Sequence, residues 1–515
     1  RRRHLARGGV PPERLVMEAE AAGTSALATG RPADGVICLE RAHELLAALE
    51  PDAARRTRIT ERLAEALQAV GRWTEAGSRC RELLDEIDDP LVRSRLRRRI
   101  ALSHGDVQGD YGAALGLLDA ADAELDGRDG GAVASELGRV EAARARVHLF
   151  RSDLAAAIAH GERALALLAD DGDAARDVVG VLNQLGLVNQ RIGRLDVAER
   201  YYREGAARAR AVGDALLEAA ANGSLAAALV HRGRPRDARD LLRVALEIYR
   251  GCAATKLEAG ALADVGWSEM EAGDLRASCD AYDESIARAH MLGARFTVMH
   301  SLVGVGQVLV RLGRFSRARS DLERGLALAE EIGSRRRAAH GHLHLAELAL
   351  AQGDAAAAVE LVARAAALGE QVGDAHTTRE GQPVLARALL ALGDPAAGAA
   401  AARRALDHSI ATGFVLSEGR ARVALAECLA HLGDLAPAVE EFARAVALFR
   451  ASGASYELAV ALHAQATTVL ASRRRAAADA LAEAALLART CGARSLLRRI
   501  EEARHRHGLT ALSVF

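Results

Sequence analysis

Apolar positions along the middle of the chain recur at a fixed interval. Leu185, Leu225, Val265, Val305, Leu345, Leu385 and Leu425 are spaced 40 residues apart, and each stands eight residues before a glycine of the series Gly193, Gly233, Gly273, Gly313, Gly353, Gly393 and Gly433. A second glycine series, Gly213, Gly293, Gly333, Gly373, Gly413, Gly453 and Gly492, runs about 20 residues behind the first. The pattern predicts two helices per unit, because the residue after a helix C-terminus commonly takes a left-handed conformation that glycine adopts without a Cβ clash.

Small residues hold a second register. The fifth residue after each turn glycine is Ala198, Ala238, Ser278, Ala318, Ala358, Gly398 or Ala438, and the twelfth is Gly205, Ala245, Ser285, Gly325, Ala365, Ala405 or Ala445. Seven residues before the glycine stand Gly186, Ala226, Gly266, Gly306, Ala346, Ala386 and Ala426. Such positions let two helix backbones approach closely while the leucines and valines fill the layer. This framework resembles the tetratricopeptide repeat (TPR) family in its long form of about 40 residues. The signature tryptophan, tyrosine and closing proline of the shorter consensus are largely missing, so the resemblance is to the class. HEAT or armadillo units have a similar length but do not predict paired small residues or equal halves. The expectation is an all-α, right-handed α-solenoid of about 12 helix-turn-helix repeats, in which each unit contacts only its neighbours and stability is close to additive.

The repeat is less regular at both ends. From Arg1 to Asp171 the turns fall at Gly30, Gly71, Gly109 and Ser152, spaced 41, 38 and 43 residues apart, and Asp126 to Gly131 reads as a loop. Near the C-terminus a turn is expected at Ser472-Arg473, and a charged helix from Ser495 to His507, stopped by Gly508, reads as a terminal cap before the apolar tail Leu509 to Phe515. The expected organisation is therefore irregular repeats over 1–171, a regular array over 172–493, and a cap with tail over 494–515. The sequence begins at Arg1 without methionine and runs directly into a helical pattern, which reads as a piece of a longer polypeptide.

Composition narrows the function classes. Net charge is −1 and aromatic residues are 3 %, so neither a basic field nor a set of stacking rings points to nucleic acid or an anionic membrane. The six cysteines include no C-x-x-C pair, and no 18-residue apolar run or signal peptide is present, which reads as a cytoplasmic protein with reduced thiols. Lys256 is the only lysine among 68 basic residues and follows Thr255, so no Walker phosphate loop can be drawn. Gly304-Val305-Gly306 lies inside a repeat and reads as packing. Neither a G-x-S-x-G elbow nor a kinase H-R-D set occurs, and no enzyme activity or cofactor is expected.

In the TPR family the first helix of each unit lines the concave face. The resemblance places inward the residues thirteen, ten, nine and six before each turn glycine. In this chain those positions supply Asn183, Asp264, Trp267, His300, Gln307, His340, His344, Glu347, Glu380, Arg387, Arg420 and Glu427 as candidate ligand contacts. Asn183 stands where related peptide-binding arrays place an asparagine against ligand backbone. His300, His340 and His344 with Glu347 would suit a metal only if they met within a few ångströms of one ion, and no metal is expected. The arginine runs Arg93 to Arg99, Arg335 to Arg337 and Arg473 to Arg475 read as solvated helix ends.

The resemblance implies a non-enzymatic superhelix that binds a peptide or protein partner in its concave groove. Arrays of this kind follow the ATPase module of bacterial signalling ATPases, MalT-like transcription activators and some serine/threonine kinases, so such a module is a possible neighbour in the same polypeptide. The rival reading is the small-molecule inducer receptor of a MalT-like activator. A small ligand would want a pocket with a few convergent polar groups, a peptide a continuous open groove.

Overall fold

The structure, a computed structural model, describes residues 11–28, 31–49, 53–104, 110–169, 171–252, 254–469, 474–507 and 509. The turns expected at Gly30, Gly109 and Ser472-Arg473, the stop at Gly508, the first residues Arg1 to His4 and tail residues 510–515 lie outside them. Among the described residues there are twenty-five α-helices, one short 3-10 turn and no strand. The expected all-α solenoid is the observed fold.

Each turn is built by the same local chemistry. All fourteen glycines of the two series have φ between +60° and +92°. The residue after the glycine donates its N–H back five residues, as from Asp274 to the Glu269 carbonyl at 2.9 Å and from Asp394 to the Leu389 carbonyl at 3.0 Å, which satisfies the last carbonyls of the helix. Where that residue is aspartate its side chain also caps the next helix, except at Asp374 and Asp434. Asp274, Asp354 and Asp394 accept the N–H groups of Ala277, Ala357 and Ala397 at 3.1, 3.0 and 2.9 Å. In the irregular part, Gly71 and Ser152 take the same left-handed conformation at their turns.

The small residues are where the layers meet. Ala198, Ala238, Ala318, Ala358 and Ala438 are fully buried, and so are Ser278 and Ser285. The two serines keep their hydroxyls satisfied by donating to the carbonyls of Gly266 and Ala259 at 2.6 and 2.7 Å. Ala318→Leu should therefore overpack a filled layer and lower the unfolding free energy by about 1–3 kcal/mol, whereas Ser320→Leu on the exposed face should change it by less than about 0.5 kcal/mol. Chemical denaturation of the two variants checks the register.

The chain forms two compact units. The described residues of 1–188, 200–221 and 248–254 make the first, and those of 189–199, 222–247 and 255–515 the second. Within the second, contacts are not confined to neighbours. The helix Thr255–Ala272 touches Ser455–Val469, and Arg295–Leu312 touches the capping helix Arg494–Arg506. Turn glycines carry the approach: a Cβ on Gly273 would meet the Tyr456 backbone nitrogen at 2.9 Å, and one on Gly313 would meet Ser495 Cβ at 3.0 Å. The second unit thus closes on itself after one superhelical turn. This corrects the expectation of an open array held only by neighbours, so deleting one 40-residue unit would also break the register across the turn.

Charge seals the closure. Arg420 bonds Glu457 at 2.8 Å and Glu380 at 3.3 Å, and reaches Glu271, which is 149 residues away in sequence. Arg311 lies 3.1 Å from Glu457 and 3.7 Å from Glu271. Burial alone would pull the Arg420 pKa down, but Glu271, Glu457 and Glu380 together hold it well above the usual arginine value. Burial opposes ionisation of Glu380 too, and Arg420 and Arg379 overcome it to hold that carboxyl well below the usual range.

Candidate functional site

Helical periodicity brings every third or fourth residue of a first helix to one face. Seven consecutive first helices, from Ala175–Arg191, which contributes Gln190, to Val415–Leu432, reach a common interior of the second unit and wall a cavity of ≈ 330 Å³. Eight of the twelve candidate contacts line it: Asp264, Trp267, His300, Gln307, His340, His344, Glu380 and Arg420. The other four do not. Asn183 belongs to the first compact unit, where its Oδ1 is buried without a hydrogen-bond partner. Glu347 is 3.1 Å from His344 Nδ1, and Arg387 donates to Glu427 at 2.7 Å, so these side chains are spent on one another.

The cavity has an aromatic and a polar side. The Trp267 indole is half-buried, packs against the core and meets the His231 ring edge-on at 5.0 Å. His231 in turn lies 4.5 Å from Phe414, whose other contact is the Arg379 guanidinium at 3.7 Å over the ring. The His340 ring lies tilted against that of His376 at 4.3 Å and hydrogen-bonds Asp374 at 2.9 Å. Burial keeps these imidazoles neutral: His231 is lowered to about 3 and His340 to about 4, while His300 and His376 fall well below the usual value. No group of three metal-ligating side chains is formed among the described residues.

Asp264 stands apart from the other acids. Burial raises its carboxyl to about 7, and the only charge that pulls it back is Arg337. Arg337 itself is drawn below the usual arginine value by burial, and its guanidinium lies 5.6 Å over the Phe296 ring. The run Arg335 to Arg337 is thus more than a solvated helix end, since Arg337 faces the cavity and Arg336 stands 3.7 Å from Asp374.

Several lining residues lie beyond the candidate set. His231 and Glu271 stand two residues before their turn glycines, His376 seventeen before Gly393, and Arg337 and Ser417 sixteen before theirs. Each is one helical turn beyond the positions considered, so carrying the period of 3.6 a turn further in both directions finds them. Tyr282 comes from a second helix, and no first-helix pattern points to it.

The first unit has its own cavity of ≈ 450 Å³, lined almost wholly by arginine and carboxylate side chains. Its charges are largely matched internally. Arg98 binds the buried Glu136 at 2.7 Å, Arg139 binds Asp177 at 2.6 Å and Arg62 binds Glu65 at 3.1 Å. Arg93 and Arg97 both bind Glu124, at 2.9 and 3.1 Å, which corrects the reading of Arg93 to Arg99 as solvated helix ends. In the third run, Arg474 donates to the His507 carbonyl at 2.8 Å.

The profile of the family described as "Tetratricopeptide repeat" matches residues 177–251, 306–372 and 384–456. Over those three stretches the chain is built of tetratricopeptide repeats. No curated protein matches the TPR chain by sequence. Among solved structures, its fold is similar to that of a Rap protein complexed with competence and sporulation factor, with a TM-score of 0.55 at 15 % identity over 70 % of this chain and 99 % of that one. The apo quorum sensor NprR from B. thuringiensis matches with a TM-score of 0.46 at 14 % identity, over 68 % of this chain and 97 % of that one. A signal transduction ATPase with numerous domains and a tetratricopeptide repeat sensor, from Pyrococcus horikoshii, matches with 0.42 at 15 % identity, over 78 % and 54 %. Among the described residues no helix is long and apolar enough to cross a membrane.

Proposed function

We propose that this TPR chain is a non-catalytic receptor that takes a peptide segment into the interior of its second unit and serves as the sensory part of a larger cytoplasmic bacterial signalling or transcription regulator. The observation that carries the reading is the cavity itself. Successive first helices bring an indole, neutral imidazoles and two ionisable groups, Asp264 and Arg337, that have no ion-pair partner among the described residues, to one cavity. The Rap protein of similar fold is solved with competence and sporulation factor, which adds support. On this reading an ATPase or kinase module in the same polypeptide would receive the signal, through a change in how tightly the superhelical turn closes.

A second reading, a small-molecule inducer, is favoured by one observation. The volume of ≈ 330 Å³ lies at the low end of the range of about 300–1,000 Å³ common for small-ligand pockets.

Trp267 tests the site. In a Trp73→Phe background its emission reports the cavity alone, and a pool of random tetrapeptides should shift that emission and shield the indole from acrylamide. Trp267→Ala should weaken retention of the pool at least tenfold, since truncating an aromatic anchor typically costs about 2 kcal/mol or more of binding energy. Emission and quenching that no peptide alters would remove the peptide reading.

A further inference from the structure

The chemistry of the ligand can be read from the charges that the cavity leaves unmatched, an inference that rests on the receptor reading above. Glu271 and Glu380, the other carboxylates on its wall, are both satisfied: Arg420 holds the two of them, with Arg311 added at Glu271 and Arg379 at Glu380. Asp264 makes no hydrogen bond or ion pair among the described residues, and Arg337 acts on it only as a charge in the same cavity. A partly buried carboxylate with no partner is costly to keep ionised, and an incoming cation lowers that cost.

The surroundings suit a cation. Asp264 and Trp267 are three residues apart on the helix Thr255–Ala272, so carboxylate and indole share one face. An ammonium group over an indole face gains a further electrostatic attraction. The neighbouring imidazoles are neutral and do not compete. The next repeat adds no charge at the register position, for the residue equivalent to Asp264 is Gly304, whose missing side chain makes room for the Tyr282 ring. The same position is Ser224, His344, Val384 or Ala424 elsewhere, so Asp264 is its only acid. Arg337, with no carboxylate within ion-pair distance among the described residues, is an unmet donor in the same cavity.

We infer that the ligand presents a primary ammonium group to Asp264 beside the Trp267 indole, with its adjacent carbonyl or carboxylate oxygen turned to Arg337. A peptide N-terminus and a free amino acid both carry that pair of groups.

Equilibrium dialysis of the intact chain against three probe pools separates the sources. The pools are lysine-free tetrapeptides with free amines, the same peptides N-acetylated, and the free amino acids, with bound material read by mass spectrometry. Free-amine tetrapeptides should be retained at least tenfold over acetylated ones, and Asp264→Asn, which keeps the side-chain shape, should abolish that preference without changing the thermal melt. Arg337→Met should weaken retention of the same pool. Retention of free amino acids alone would keep the ammonium assignment and overturn the peptide reading. Equal retention of free and acetylated peptides, lost in Trp267→Ala, would overturn the ammonium assignment and leave the peptide reading intact. Unchanged preference in Asp264→Asn overturns the assignment, and retention of no pool overturns both.

Discussion

Replacing Arg420 with methionine should lower the stability of the second unit by about 3–5 kcal/mol at pH 7, the range seen when one member of a buried ion pair is removed. The guanidinium is shared among Glu271, Glu380 and Glu457, and its loss leaves Glu271 and Glu457 to Arg311, and Glu380 to Arg379. The effect has a pH signature. Glu380 and Glu457 are held below the ordinary carboxylate value in the folded protein, so their contribution is present above an unfolded value of about 4.3 and fades as pH falls through the folded one. In Arg420→Met burial dominates instead, the carboxyls rise, and the folded state loses stability as they are forced to ionise. The deficit relative to the parent should therefore grow from about pH 4 to pH 7. Arg444→Met is the control: its side chain is 57 % exposed beside Glu441, and less than about 1 kcal/mol should change at any pH. Urea denaturation across the pH series measures both. A deficit of equal size at pH 4 and pH 7 would assign the loss to packing and not to charge.

The repeats were legible because their cause is local. A left-handed turn favours glycine, a close layer favours alanine, serine or glycine, and both recur wherever the unit recurs. Eight lining residues followed from the same local logic, since a face of a helix is fixed by its period. The closure was not legible. Glu271 and Arg311 stand two residues before turn glycines, where a charged side chain reads like any solvated helix end. They face each other across one repeat, but their further partners Glu457 and Arg420 lie more than a hundred residues on, and which of these they meet depends on a small rotation per repeat summed over several units. No spacing in the sequence records that sum. Asn183 holds the same register position as the inward candidates, but it belongs to the first unit and is not among the residues that line the cavity.

The closure itself is tested by two glycines of the same series. Gly273 and Gly353 have nearly equal backbone conformations, with φ of +92° and +88°, so alanine at either should meet the left-handed penalty of about 1–2 kcal/mol. Their surroundings differ. Nothing lies within 4 Å of a Cβ at Gly353, whereas a Cβ at Gly273 would stand 2.9 Å from both the Tyr456 backbone nitrogen and Ser455 Cβ. A backbone atom cannot swing aside as a side chain can, and overpacking of this kind typically adds about 1–3 kcal/mol. Gly273→Ala should thus lose about 2–5 kcal/mol in total, Gly353→Ala only the conformational part. The excess at Gly273 is the part that reports the closed turn, because the strained φ is common to both. Denaturation midpoints give the two losses directly, and equal losses would mean that the helix Ser455–Val469 does not press on the Gly273 turn in solution. Because the cavity wall includes Glu271, two residues away, a turn forced open at Gly273 should also weaken tetrapeptide retention, which Gly353→Ala should leave unchanged.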